Sequence, residues 1–95
     1  MAHVLAGKPA NKNELIDVSV VEKAYYDITP NSSERAQRVS FGTSGHRGKA
    51  TAGSFNELHV GAITQAICDG RKFFGAEGTC YVGQDTHALS QPAYK

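Results

Sequence analysis

A glycine-rich segment, Phe41-Gly-Thr-Ser-Gly-His-Arg-Gly48, lies between a short strand-like run and a strongly patterned helix. Its glycines leave the backbone free to adopt positive φ and to approach a ligand closely. Thr43 and Ser44 add hydroxyl groups, and Arg47 adds a planar guanidinium that suits phosphate or carboxylate. The segment therefore predicts a loop that binds an anion.

Residues 1–37 are predicted to form an extended arm, one helix and a polar loop. Asn11 with Glu14 three residues later is typical of a capping box that opens a helix. Apolar residues then recur at helical spacing until Pro30, which ends the helix because the residue before proline is pushed out of the α region. Polar residues follow as far as residue 37 and predict a loop.

Residues 38–95 have the pattern of an incomplete α/β domain. A strand, a long loop, a helix, a second strand and the start of a helix favour a crossover unit. The pattern stops as the last helix begins, so we expect a piece of a larger domain. The predicted elements are a strand at Arg38–Phe41, a helix opened by a capping box of Ser54 and Glu57, a buried strand at Thr79–Val82 and a helix from Leu89.

The long helix is predicted to bury an apolar stripe that runs from Phe55 to Phe74. His59 lies on this helix, and the sequence assigns it no role. Cys68 and Cys80 are too few for a disulfide framework or a zinc site. We expect both to be buried free thiols in a reducing cytosol.

Composition excludes two classes of partner. The net charge is +1 and there is no run of lysine and arginine, which argues against a nucleic-acid binder. No apolar run approaches the roughly 20 residues that a membrane span needs, and the start lacks the apolar core of a signal peptide. A cytoplasmic location is therefore expected.

Two ordered motifs carry a resemblance to a known family. The segment from Phe41 to Gly48 resembles the first signature loop of the α-D-phosphohexomutases, and within them of the bacterial-type phosphoglucomutases. The later segment Cys80-Tyr-Val-Gly-Gln-Asp-Thr-His-Ala-Leu-Ser90 resembles the strand and turn that follow in the same family. The spacing between them and the lead-in Ala6-Gly-Lys-Pro-Ala10 are also family-like, so the resemblance runs nearly end to end.

The resemblance implies a fold, a reaction and a cofactor. The fold would be part of the first α/β domain of a phosphohexomutase, preceded by an N-terminal helix. The reaction would interconvert glucose 1-phosphate and glucose 6-phosphate through a phosphoserine and glucose 1,6-bisphosphate, with magnesium as cofactor. The family's Ser-His-Asn-Pro-type, Asp-Gly-Asp-type and sugar-recognition loops are absent from this sequence. We therefore expect an N-terminal fragment, inactive alone, that holds no metal and needs the remaining domains of a parent chain.

The resemblance also assigns roles to residues of the signature loop. Arg47 is predicted to be the catalytic cation of the cleft. The phosphate-carrying serine of the family lies in another loop, so Ser44 is expected to form hydrogen bonds and not to carry the phosphoryl group. His46 either assists proton transfer or lies at the rim of the cleft. The predicted substrate-binding residues are Thr43, Ser44, Gly45, His46 and Lys49.

A second group of polar residues follows the second predicted strand. Asp85 and Thr86 are expected to cap a turn and start a helix, although Asp85 could instead pair with Arg47. Many family members carry Asp-x-Arg here, and this chain carries His87 in the arginine's place, which removes a constant positive charge. Asp85 and His87 alone do not close a metal site.

A function from a different class remains open on the same loop. Backbone donors and one arginine would also suit a non-catalytic module that binds phosphate or another anion. A nucleotide-binding P-loop agrees less well with the sequence, because the pattern Gly-x-x-x-x-Gly-Lys-Ser/Thr is absent.

Overall fold

The computed structural model describes residues 2–95, which contain mainly helices and one small sheet. Three short 3-10 helices span Lys12–Glu14, Arg35–Gln37 and Ala50–Ala52. The α-helices are α1 (Val18–Asp27), α2 (Glu57–Phe73) and α3 (Ser90–Tyr94), and the strands are β1 (Phe41–Gly42) and β2 (Gly45–His46).

The first α-helix begins later than the sequence predicted. The carboxylate of Glu14 accepts the N–H of Asn11 at 2.7 Å, as in a capping box, but this pair caps only the 3-10 turn Lys12–Glu14. Asp17 then accepts both the N–H and the hydroxyl of Ser19 and acts as a new N-cap. These hydrogen bonds lower the pKa of the Asp17 carboxyl. A second strong capping residue therefore restarts the chain as α1.

The small core lies where α1 meets the 3-10 helix Ala50–Ala52. Partly buried apolar side chains of α1 and α2, together with Phe55, pack around it. The buried apolar residues of this core are Ala24, Tyr25, Ala50 and Leu89.

A buried amide joins the parts of this core. Asn56 is fully buried, and its Nδ2 donates to the backbone carbonyls of Ala24 at 2.8 Å and Ala50 at 3.1 Å. Its Oδ1 has no hydrogen-bond partner within residues 2–95. The side chain thus adds a second donor to two carbonyl groups that already accept the backbone N–H groups of Ile28 and Gly53, and it joins α1 to the residues before α2.

The signature segment is a β-hairpin and not an open loop after a strand. The predicted strand Arg38–Phe41 is wrong except for its last residue, because the backbone partner lies inside the segment itself. β1 pairs antiparallel with β2, with Gly42 opposite Gly45. Thr43 and Ser44 form the two-residue turn, and Gly45 has a φ of +124°, which favours glycine.

The predicted capping box of α2 is also wrong. Asn56 and not Ser54 is the N-cap, and Nδ1 of His59 accepts its backbone N–H at 3.0 Å. Ser54 does not cap α2, because its hydroxyl is used elsewhere. The hydroxyl of Ser54 instead accepts the N–H of Lys49 at 2.9 Å.

The C-terminal end of α2 agrees with the prediction that glycine stops the helix. Gly75 has a φ of +65°, and its N–H donates to the carbonyl of Lys72. The N–H of Ala76 donates to the carbonyl of Arg71 at 2.8 Å. This pair of bonds is a Schellman motif.

Much of the predicted apolar stripe of α2 is exposed, which corrects the expectation of a buried core. Phe55 and Val60 pack against the core because α1 reaches them. The middle of α2 and the residues around β1 line a shallow apolar groove, which buries little more of the stripe. No described element lies over the rest of the stripe, and Leu58, Ile67, Phe73 and Phe74 are exposed.

Two further expectations fail for the same reason. Thr79–Val82 has no regular secondary structure and is not a strand, because the described sheet contains only β1 and β2 and offers it no neighbour for pairing. Tyr81 is 91% exposed. Cys68 and Cys80 are exposed free thiols and not buried ones, since no described element packs over either.

Replacing the buried amide tests how far the core depends on it. We expect Asn56→Ala to lower the free energy of unfolding by about 2 kcal/mol, because two buried hydrogen bonds between segments of the core are lost. Gln65→Ala, which removes an exposed amide on α2, is the matched control. Chemical denaturation followed by circular dichroism measures both, and equal losses in the two variants would contradict this account of the core.

Candidate active site

The hairpin brings most of the predicted loop residues together. Nη2 of Arg47 donates to the hydroxyl of Ser44 at 2.8 Å, across the turn. Thr43, Ser44, Gly45 and Arg47 line one cavity of about 530 Å³. A guanidinium carries five N–H donors, so most of them remain for an anion.

His46 is held by the backbone on both sides of the hairpin. Its Nε2 lies 2.7 Å from the carbonyl oxygen of Ser54, and its Nδ1 lies 3.0 Å from the backbone nitrogen of Ser40 and 3.2 Å from the carbonyl oxygen of Ser40. The carbonyl of Ser54 needs a donor, which places a proton on Nε2, and the shorter of the two contacts of Nδ1 favours acceptance from the N–H of Ser40. Both ring nitrogens therefore contact the backbone.

A larger cavity of about 700 Å³ lies between the hairpin and the second polar segment. Arg47, His46 and Gly48 line one side of it. Asp85 and His87 are among the residues on the other side. The two motifs that carry the family resemblance thus face one space, although many residues separate them along the chain.

The second polar segment forms the predicted turn cap. Oδ1 of Asp85 accepts the N–H of His87 at 2.9 Å and also the hydroxyl of Ser90. These hydrogen bonds, the one from Ser90 foremost, lower the pKa of the Asp85 carboxyl. Arg47 bonds to Ser44 instead, so the alternative pairing of Arg47 with Asp85 is not formed. Within residues 2–95, the only ion pair joins Lys23 and Asp27.

The residues after Arg47 are fixed by a close approach of two backbone segments. A Cβ on Gly48 would lie 2.3 Å from the carbonyl oxygen of Ser54, so only glycine fits there. Lys49 is held through its backbone N–H, and its side chain is exposed. It does not line the cavities on either side of Arg47.

Two buried polar residues were not identified as important from the sequence. Asn56 and His59 are the buried polar side chains of the described chain. Their spacing of three residues at the start of a helix was a usable signal, since asparagine is among the strongest N-caps. This signal was overlooked because Ser54 and Glu57, which lie beside these residues, match the standard capping-box pattern.

The described part of the chain contains no group of three or more His, Cys, Asp or Glu side chains that could hold a metal ion. None of its helices combines the length and the apolar character needed to cross a bilayer.

Comparison with known proteins defines the class to which this site belongs. The family model described as phosphoglucomutase/phosphomannomutase, alpha/beta/alpha domain I, matches residues 38–95. A phosphoglucomutase from Komagataeibacter xylinus is 49% identical over 90 residues. The aligned region covers 95% of this chain and 16% of that relative.

The chain therefore belongs to the phosphoglucomutase/phosphomannomutase family. The prediction of an α/β fold, part of the first domain of a phosphohexomutase, is confirmed. The roles predicted for individual residues of the site stay predictions.

The lowered pKa of Asp85 has a testable cause. In Ser90→Ala, we expect the carboxyl of Asp85 to titrate at higher pH than in the parent chain, because its strongest donor is lost. The depressed pKa contributes stability above the carboxyl's ordinary pKa, and this contribution disappears as the pH falls through the folded-state value. Carboxyl NMR shifts measure the titration, and Ser90→Thr, which keeps the hydroxyl, is the control. An unchanged midpoint in Ser90→Ala would refute the assignment.

Proposed function

We propose that this chain forms one wall of the active-site cleft of a phosphoglucomutase, which interconverts glucose 1-phosphate and glucose 6-phosphate. The observation that carries the proposal is the position of Arg47, which lines both cavities and has no carboxylate partner among residues 2–95. The similarity to a phosphoglucomutase supports it. Because the chain covers 16% of that relative, the proposed activity is that of a longer protein.

In this proposal the hairpin binds and orients phosphate. Phosphoryl transfer depends mainly on positioning and on stabilisation of charge on the phosphoryl oxygens. Arg47 supplies a fixed positive charge with several N–H donors. The hydroxyls of Thr43 and Ser44 and the backbone N–H of Gly45 lie beside the same cavity and add neutral donors. Lys49 adds positive potential near the hairpin. His46, which lines the larger cavity, is also proposed to be a residue of the site.

The rest of the proposed chemistry belongs to other parts of the longer protein. A phosphoserine there donates its phosphoryl group to the sugar phosphate, and the bisphosphate returns its other phosphate to the serine. Magnesium is the proposed cofactor of that reaction. The residues described here do not fit a magnesium site, since they form no carboxylate cluster, and this chain's part is assigned without one.

The proposal includes the organisation and location of the protein. Residues 1–37 would be an N-terminal arm, helix and polar loop, and residues 38–95 an incomplete α/β domain, in line with the start of the family match at residue 38. The exposed side of α2 would pack against the remaining domains. We place the protein in the cytoplasm, because charged sugar phosphates do not cross a bilayer unaided.

Removing the guanidinium tests the assigned role of Arg47. We expect Arg47→Ala in the full-length protein to lower turnover by more than about tenfold, since one charge-assisted contact to phosphate is lost. The thermal midpoint should change little, because Arg47 is exposed. A coupled assay of glucose 6-phosphate formation measures turnover. Lys72→Ala, which removes an exposed positive charge on α2, is the control, and equal turnover in the two variants would contradict the role.

A non-catalytic anion-binding module is the second candidate, favoured by the small cavity beside Arg47. The two functions predict different results for the full-length protein and for this chain. We expect mutase turnover from the full-length protein and none from residues 1–95, because the loops proposed to carry phosphate lie outside them. Absence of turnover in the full-length protein, with phosphate-ester binding by calorimetry that Arg47→Ala weakens, would favour the binding module instead.

A further inference from the structure

We propose that His59 is a positioning residue that, together with His46, closes the base of the hairpin and holds Arg47 in place. The positional claim stands on contacts within this chain, and only its link to catalysis rests on the proposed function. His59 is 4% exposed, on the first turn of α2, and no part of the proposed chemistry uses it directly.

Both ring nitrogens of His59 bind backbone groups from different segments. Its Nε2 lies 2.6 Å from the carbonyl of Gln37, in the residues that lead into the hairpin. Its Nδ1 accepts the N–H of Asn56 at the start of α2. His59 therefore links the segment before the hairpin to the segment after it.

The ring of His59 also stacks on the ring of His46. The two imidazole centroids are 5.3 Å apart and the planes are inclined by 24°. The other neighbour of His46 is Phe55, with a centroid distance of 6.0 Å and an inclination of 8°. His46 thus has two ring neighbours, both of which belong to the segment at the start of α2.

The two imidazoles together cross-link the hairpin at its base. His46 bonds to Ser40 before the hairpin and to Ser54 after it. His59 adds a second link, between Gln37 and Asn56, which lie further from the turn along the chain on each side. Asn56 is in turn anchored to the buried core. Arg47 directly follows His46, so the direction in which Arg47 leaves the hairpin depends on this arrangement.

The hydrogen-bond partners also explain why the rings position and do not transfer protons. Each Nε2 faces a carbonyl, which requires a donor, and the shortest contact of each Nδ1 is to a backbone N–H at 3.0 Å. The carbonyl of Ser40 lies slightly further from Nδ1 of His46, at 3.2 Å. For His59 these partners assign the tautomer with the proton on Nε2, and in both rings the two nitrogens are occupied by backbone groups, so neither is left for a substrate. His59 and His46 would act on the reaction only through the hairpin.

NMR of the ring nitrogens in this chain tests the positional claim directly. We expect both histidines to show the tautomer with the proton on Nε2, and both ring protons to exchange slowly with water. A mixture of tautomers with rapid exchange at His46 or His59 would overturn the proposal. This measurement needs no variant and no enzyme assay.

His59→Gln separates positioning from mere stability of the helix. Glutamine at this position can still accept the N–H of Asn56, as in a standard capping box, but it cannot stack on His46. We expect the circular dichroism of the variant to be unchanged and the ring proton of His46 to exchange roughly tenfold faster, since about one net hydrogen bond is weakened. Glu57→Gln, an exposed change in the same helical turn, is the control. Unchanged exchange at His46 in His59→Gln would overturn the proposal.

Kinetics of the full-length protein then test the link to Arg47. We expect His59→Gln to lower kcat by about tenfold with a smaller change in KM, because misplacement of a catalytic group weakens the transition state most. Faster exchange at His46 with unchanged kcat would overturn the catalytic part of the proposal. If the parent full-length protein has no mutase activity, the proposed function fails, and the ring spectra alone decide the positional claim.

Discussion

The buried side chain of Asn56 is the contact on which the rest of the structure depends. Its two donors satisfy carbonyls of Ala24 and Ala50, which lie in different helices. Its backbone N–H donates to Nδ1 of His59 at the start of α2. One residue therefore fixes where α1 packs and where α2 starts. A polar group at the centre of so small a core restricts the possible arrangements, because its donors need partners in specific directions.

The hairpin connects this core to the candidate site and fixes the position of Arg47. Its two ends are held by His46, and its turn places Ser44 against Arg47. The close contact of Gly48 with Ser54 leaves no room for a side chain and fixes the chain beyond Arg47. Rigid support of this kind is what a phosphate-binding group needs, since its contribution depends on placement before the substrate arrives.

The sequence predicted the helices better than the strands. The helix ending at Gly75 and the cap formed by Asp85 could be predicted because each depends on residues within one turn. The strand expected at Thr79–Val82 could not form alone, because a strand needs a hydrogen-bonding neighbour. The apolar stripe of α2 was correctly placed on one face of the helix, but its burial depends on what packs there.

The sequence alone determined the family, the signature segment and the chemical character of Arg47, since these depend on residue types in a fixed order. It did not show that the segment pairs with itself as a hairpin, or that His59 lies against His46. Those features required the tertiary structure, because they join residues from different segments. A hydrogen bond or a ring stack between such residues exists only once the backbone has brought them together.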